Sequence, residues 1–304
     1  METPDPNQVL MAELTPEIEK LYNRHLNNAK EWYPHELIPY DLGRDYKGEP
    51  WQPENYPLPD AVRSALFVNL LTEDNLPYYY ETINSRSPAK NHVWGQWARH
   101  WTSEENRHST VIRDWVHVTR ALDPNALEEA KRSQMQLGQV PDPPTLPELL
   151  AYVSLQELAT RVAHSNTGRV LDKEHGGKNV MSQVAADEGL HHIFYRDLST
   201  AAFNVDPSAM VIAAFSVIND FKMPGTGILD FEEHKKAISK AGIYDIAHFK
   251  ENVVDPTIKH WDIEHLEGLS PKAEEAREKL VSYLERLGKI ACIKRARREE
   301  VLYR

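Results

Sequence analysis

Two copies of Glu-x-x-His, each with a lone glutamate upstream, constrain this chain more than any other feature. Glu105-Asn106-Arg107-His108 and Glu188-Gly189-Leu190-His191 lie 83 residues apart. Residues three apart share one face of a helix, so each carboxylate would point the same way as its imidazole. Glu73 precedes Glu105 by 32 residues, and Glu157 precedes Glu188 by 31. That is roughly the distance up one helix and back down the next. The chain thus reads as two helical hairpins, each offering one lone Glu and one Glu-x-x-His. Bundles that hold two metal ions take their ligands in this pattern from four helices.

A single Glu-x-x-His occurs by chance in many helices, and the weight lies in the pairing. All six residues could instead be salt-bridge groups on the surfaces of long amphipathic helices. Their neighbourhoods count against that: Glu73 follows Asn69-Leu70-Leu71, and Glu157 sits among Leu155, Leu158 and Ala159. Four carboxylates buried without cations would cost more than a protein's net stability of about 5–15 kcal/mol. Two Fe(II) ions bring four positive charges and make four carboxylates and two neutral imidazoles formally neutral. Carboxylate with imidazole suits iron or manganese better than soft metals. An acid precedes each Glu-x-x-His glutamate, Glu104 and Asp187, and either could accept the second imidazole N–H of a histidine on the facing helix. Pro77 lies four residues after Glu73, where its ring would clash with the Glu73 carbonyl, so a local bulge is expected there; the alternative is that Pro77 ends the helix.

Apolar residues at three- and four-residue steps mark long helices over about 60–85, 88–122, 145–173 and 177–203, as in Val111, Ile112, Trp115 and Val118. Another helix is expected from about Asn7 to Lys30. Between them, Trp32 to Pro59 carries six prolines and two tryptophans and reads as an extended connection lying on the body of the protein. A helix from Pro207 to about Phe221, shorter pieces and a last helix from about Pro271 follow. Strand patterns are scarce, so the expected class is all-α, a helical bundle in one domain over 1–304 with accessory helices over 204–304.

The remaining composition excludes several function classes. One cysteine, Cys292, rules out a disulfide framework and any Cys-based metal site. A net charge of −11 argues against general affinity for nucleic acid or anionic membrane. The most apolar stretch, Ala209 to Ile218, is too short for a membrane span, which needs about 20 residues. The opening Met-Glu-Thr-Pro-Asp-Pro has neither signal-peptide nor transit-peptide character. A soluble, cytoplasmic protein is expected.

Four segments then carry a resemblance: Thr72 to Pro77, Trp101 to His108, Gln156 to Thr160 and Ala185 to His191. With Trp51-Gln52-Pro53 and His164-Ser165-Asn166-Thr167, they closely resemble the motifs of soluble acyl-carrier-protein (acyl-ACP) desaturases, most of all the actinobacterial branch. The similarity runs from about Leu21 to Phe203 and more weakly beyond. It implies a ferritin-like bundle with two Fe ions held by Glu73, Glu105, His108, Glu157, Glu188 and His191. It further implies a hydrogen-bonded route through Trp51 and Asp187 towards His108, a Thr160 lining the oxygen side of the cluster, and a homodimer. Read without the family, Trp51 pins the Pro-rich connection, and Thr160 bonds to its own helix backbone. Ser109 departs from the family, which usually has glycine there, and His192 places a second imidazole beside His191. Adjacent helix residues diverge by about 100°, so His191 and His192 cannot both point inward.

The implied reaction is O2-dependent desaturation of a fatty acyl chain carried on acyl carrier protein. No nicotinamide or flavin fingerprint appears, so electrons would come from a ferredoxin-type donor. Acyl carrier protein is acidic, and the best linear docking candidate is Arg286 to Arg298, with Lys289, Lys294, Arg295 and Arg297 between; the plainer reading is a solvated helix end. Two other readings stay open: another di-iron oxidase or oxygenase on the same scaffold, or a non-catalytic iron binder. A radical-generating subunit fits less well, because Ile112 stands where its tyrosine would be expected.

Overall fold

Helix starts and stops in this chain follow its capping residues. The computed structural model describes residues 5–225 and 227–302, with side chains described as far as residue 296. Helix α1, Pro6–Asn28, opens with Asp5, whose carboxylate accepts from Asn7 N–H, and with Pro6 in the first turn. It buries one stripe: Leu10, Met11, Leu14, Ile18, Leu21 and His25. The Pro-rich connection then runs in short 3-10 turns to α2, Asp60–Asp74. Only Asn75 separates α2 from α3, Leu76–Asn84. Pro77 sits in the first turn of α3 and α2 stops at Asp74, so the expected bulge is replaced by the alternative, a helix that ends just ahead of the proline.

The long α4, Val93–Thr119, ends at Arg120 in the left-handed region, φ 61°. Helix α5, Pro124–Leu137, lies in what the sequence pattern leaves as a connection. Thr145 caps α6, Leu146–Val170, and α7, Gly177–Val205, follows Gly176, which has φ 77°. Gly177 allows a close approach: a Cβ there would stand 2.5 Å from the Trp115 ring. Beyond lie α8, Pro207–Asn219, α9, Phe231–Lys240, α10, Ile246–His248, a π-helical turn over Phe249–Val254, α11, Asp255–Trp261, and α12, Pro271–Leu302. No strand occurs among the described residues.

Helices α6 and α7 pack more extensively than any other pair, and α2 and α4 close the other side of the bundle. Two apolar cores result. One gathers Trp94, Trp97, Leu150, Leu155, Phe194 and Leu198 with α8 and α12. The other gathers Leu66, Leu70, Val111, Trp115, Val180 and Val184. Along α4 and α7 the change from one core to the other falls between Trp101 and Val111 and between Val184 and Phe194. Glu105, His108, Glu188 and His191 lie in that gap and are joined there by Glu73 and Glu157, so the fold presents the six as one polar layer between two dry ones.

Candidate metal centre

The polar layer draws one or two groups from each of four helices. Glu73 comes from the last turn of α2, Glu105 and His108 from α4, Glu157 from α6, and Glu188 and His191 from α7. All six are between 0% and 6% exposed. They form two overlapping quartets: Glu73, Glu105, His108 and Glu188, and Glu105, Glu157, Glu188 and His191. In each quartet the ligand atoms lie within 4.8 Å of one another. His108 Nδ1 is 3.2 Å from Glu105, 3.6 Å from Glu188 and 3.7 Å from Glu73. His191 Nδ1 is 2.9 Å from Glu105 and 3.8 Å from both Glu157 and Glu188. Bonds of about 2.1 Å put neighbouring donors around one ion about 3.0–3.4 Å apart and opposite donors about 4.2 Å apart. The spacings fall in that range.

Orphaned atoms test the fit independently. Buried polar atoms in proteins nearly always have a partner. Here Glu105 Oε1, Glu157 Oε2, Glu188 Oε2 and His191 Nδ1 make no hydrogen bond. His191 Nδ1 and Glu105 Oε1 are close yet not aligned for one, as expected of two donors turned towards a common point. The opposite edges of both imidazoles are satisfied: His108 Nε2 meets Asp187 Oδ2 at 3.3 Å, and His191 Nε2 meets Glu104 Oε2 at 3.0 Å. Each acid is thus placed to accept the Nε2–H of a histidine across the bundle, as the sequence suggests, which leaves Nδ1 lone pairs facing the layer.

The electrostatics agree. Burial disfavours imidazolium, but Glu105 with Asp187 at His108, and Glu104 with Glu105 at His191, outweigh this and raise both well above the ordinary value. Burial raises Glu157 well above the carboxylate range, reinforced by Glu188 and Glu105. Burial also opposes charge on Glu105 and Glu188, yet the neighbouring imidazoles, His108 first for both, hold both below it. Without cations the layer therefore favours protons on His108, His191 and Glu157, and a metal would compete with them.

Trp51 is not where the family expectation puts it. Its indole N–H donates to the Arg120 carbonyl at 2.8 Å, and Arg120 in turn binds Asn55 and lies over Tyr46. Trp51 therefore anchors the connection to the end of α4. Trp32 takes the expected place: its N–H donates to Asp187 Oδ2 at 2.8 Å, and its ring stacks parallel to His108 at 6.5 Å. Spacing could not separate two tryptophans in one irregular segment. Thr160 bonds to the carbonyls of Gln156 and Glu157, and it also lines a cavity. His192 faces away and meets the Ser154 carbonyl at 2.8 Å, and burial pushes its pKa down to about 4.

Three further residues touch the layer. His164 Nε2 is 2.8 Å from Glu73 Oε1, Trp101 N–H donates to Glu157 at 3.1 Å, and His25 meets Glu104 at 2.9 Å. His164 was within reach of sequence reasoning, since Glu157, Thr160 and His164 fall on one face of α6. A largely apolar cavity of about 620 Å³ runs from Thr72, Thr160 and His164 outward past Ile218, Phe221, Phe231 and Tyr283, with Lys222, Lys235 and Lys294 on its lining. On the basic stretch of α12, Arg286 and Lys289 are exposed, Arg295 pairs with Glu251, and the side chains of Arg297 and Arg298 lie outside the described residues.

The sequence profile of the fatty acid desaturase family matches residues 7–302. A Mycobacterium tuberculosis protein named as a candidate acyl-ACP desaturase, DesA1, is 36% identical over 296 residues, which cover 94% of this chain and 87% of that protein. The chloroplastic stearoyl-ACP 9-desaturase of Spinacia oleracea is 26% identical over 286 residues, covering 88% of this chain and 71% of that one. The X-ray structure of DesA2 from Mycobacterium tuberculosis, 23% identical, shares the fold with a TM-score of 0.71 over 88% of this chain and 99% of that chain.

Proposed function

This chain belongs to the fatty acid desaturase family, and we propose that it is an acyl-ACP desaturase that uses O2 and two iron ions to introduce a double bond into a carrier-bound fatty acyl chain. The observation that carries the reading is the pair of overlapping quartets with unpartnered oxygens and nitrogen, beside an apolar cavity whose lining includes His164, the partner of Glu73. Glu105 and Glu188 belong to both quartets and would help to hold both ions. Glu73 with His108, and Glu157 with His191, would complete one side each. An unactivated methylene has no acidity that a side chain can exploit, so iron, when bound, would supply the oxidising power.

The chain's own residues hold and exclude. Asp187 and Glu104 fix the two imidazoles by their Nε2–H groups. Trp101 orients Glu157, and Trp32 orients Asp187. Thr160 and His164 form the wall where the cavity meets the layer, and there an acyl methylene pair would be held out of water. Each buried methylene contributes about 0.8 kcal/mol to holding the chain in the cavity. Lys222, Lys235 and Lys294 suit the acidic carrier at the mouth. Electrons are assigned to a ferredoxin-type donor because the sequence holds no nucleotide-binding fingerprint. No helix among the described residues is long and apolar enough to cross a membrane. A cytoplasmic homodimer completes the proposal, checked by sedimentation.

The test is single turnover. Iron-loaded protein, chemically reduced, is given O2 and a panel of acyl carriers, and products are read by mass spectrometry. Loss of two hydrogens at one or more chain lengths is expected. Gain of oxygen would mark a hydroxylase on the same scaffold, and no turnover at any length would mark a non-catalytic iron binder.

A further inference from the structure

A third group of ligating side chains lies outside the six. His25 of α1 and His100 and Glu104 of α4 each bring one ligand atom within 4.8 Å of the others. Glu104 is the hinge between this group and the buried layer. Its Oε2 meets His191 Nε2 at 3.0 Å and His25 Nε2 at 2.9 Å. Its Oε1 faces His100 Nε2 at 3.4 Å. That approach is not a hydrogen bond, and His100 Nε2 has no hydrogen-bond partner although it is shielded from solvent. His25 is 5% exposed and meets Glu104 through Nε2, while its Nδ1, on the other ring edge, has no hydrogen-bond partner.

An orphaned nitrogen held near a carboxylate, as His100 Nε2 is here, is what the buried quartets also show. With bonds of about 2.1 Å, donors around one ion stand about 3.0 Å apart at right angles and about 3.4 Å apart at tetrahedral angles. His25 Nε2 stands 2.9 Å from Glu104 Oε2 and His100 Nε2 3.4 Å from Glu104 Oε1, separations of that size to the two oxygens of one carboxylate. A cleft of about 290 Å³, lined by Leu26, Lys30, His100, Ser103, Glu104 and Arg107, opens the group to solvent. Arg107 approaches Glu104 to 3.5 Å and would oppose a cation, but Asp187 at 3.4 Å and the Trp32 ring at 5.0 Å offer it other partners.

We propose that His25, His100 and Glu104 form a third site, for one divalent first-row transition cation, where ions bound for the buried centre pause. Two imidazoles and one carboxylate suit Fe(II), Co(II) or Zn(II) over Mg(II) or Ca(II). The path inward is one residue long, because Glu104 touches His191. The transit role, though not the site itself, rests on the reading of the buried layer as a metal centre.

The experiment is anaerobic equilibrium dialysis of the metal-free protein against Co(II), with metal analysis and stopped-flow absorption of the loading phase. Wild type should hold three ions and His100→Ala two, with severalfold slower filling of the remaining two; His35→Ala, at an exposed histidine elsewhere, should match wild type. Two ions on wild type, or three on His100→Ala, would overturn the site. A lower count on the variant with unchanged loading rates would overturn the transit role. If the buried layer itself held no metal, the count would fall from one to zero in His100→Ala, which keeps the two readings separable.

Discussion

Replacing Trp32 and Trp51 one at a time by phenylalanine distinguishes their roles. Trp32 is 7% exposed and donates at 2.8 Å to Asp187, itself 6% exposed. A hydrogen bond to a charged acceptor contributes about 1.5–3 kcal/mol. After Trp32→Phe, Asp187 keeps longer contacts, 3.3 Å from His108 and 3.4 Å from Arg107. It also loses one of the interactions that hold its carboxyl below the ordinary value against the effect of burial. Direct loss of a partner to a ligating histidine costs about 10–100-fold in metal affinity. Trp32 acts one step further out, so the lower end applies: about tenfold, or about 1.4 kcal/mol. Trp51 donates to a neutral carbonyl some distance along the chain from any ligand, a bond contributing about 0.5–1.5 kcal/mol. Trp51→Phe should lower the urea midpoint of the metal-free protein and leave Co(II) affinity within about twofold of wild type. Chelator competition measures the affinities. If Trp51→Phe weakens metal binding as much as Trp32→Phe does, the assignment of Trp32 to Asp187 is wrong.

Two other perturbations follow from the same geometry. Burial raises the Glu157 carboxyl, and a carboxyl whose folded pKa is raised costs stability as pH climbs past its unfolded value. Metal-free Glu157→Gln should therefore melt above wild type at pH 8, with the gap closing towards pH 4; equal melting curves across that range would count against it. Tyr152 stacks on Phe221, which lines the large cavity, and also borders a small void of about 20 Å³ lined by Ile83, Trp101 and Leu149. Tyr152→Ala should join the two spaces and shift the acyl panel to longer chains or move the double bond, at a stability cost of about 3–5 kcal/mol; an unchanged product profile would refute it.

What was legible in the sequence is what helical periodicity controls. Spacing of three placed Glu105 with His108 and Glu188 with His191, and hairpin lengths brought Glu73 and Glu157 opposite them. The acids before each motif, Glu104 and Asp187, followed from the same periodicity. Helix α5 was missed although its signals were present: Asp123 caps it, Pro124 starts it and Gly138 ends it at φ 59°. Its polar surface hid it, because only Leu127, Ala130 and Gln134 are buried. Trp32 was missed for a different reason. Between Trp32 and Pro59 no repeat fixes which side chain faces inward, so the choice between two indoles depends on tertiary contacts alone. His25 falls in the same class, being set beside Glu104 by the docking of α1 against α4.

The polar layer explains why the two apolar cores remain separate. A continuous core along α4 and α7 would bury more hydrocarbon, and the chain forgoes that at six positions. Unpaired buried charge costs several kcal/mol per ion, a large part of a net stability of about 5–15 kcal/mol. In the metal-free chain the surrounding acids raise His108 and His191, and burial with the neighbouring acids raises Glu157, which favours protons on these groups and eases that cost. Protons neutralise but cannot satisfy every lone pair, and Glu105 Oε1, Glu157 Oε2 and Glu188 Oε2 remain unpartnered. Two dications would replace the protons and meet those oxygens together. The same six residues thus set a stability deficit and the affinity for the ions that would remove it, so substitutions that weaken metal binding should be judged against metal-free stability before any loss of activity is assigned to chemistry.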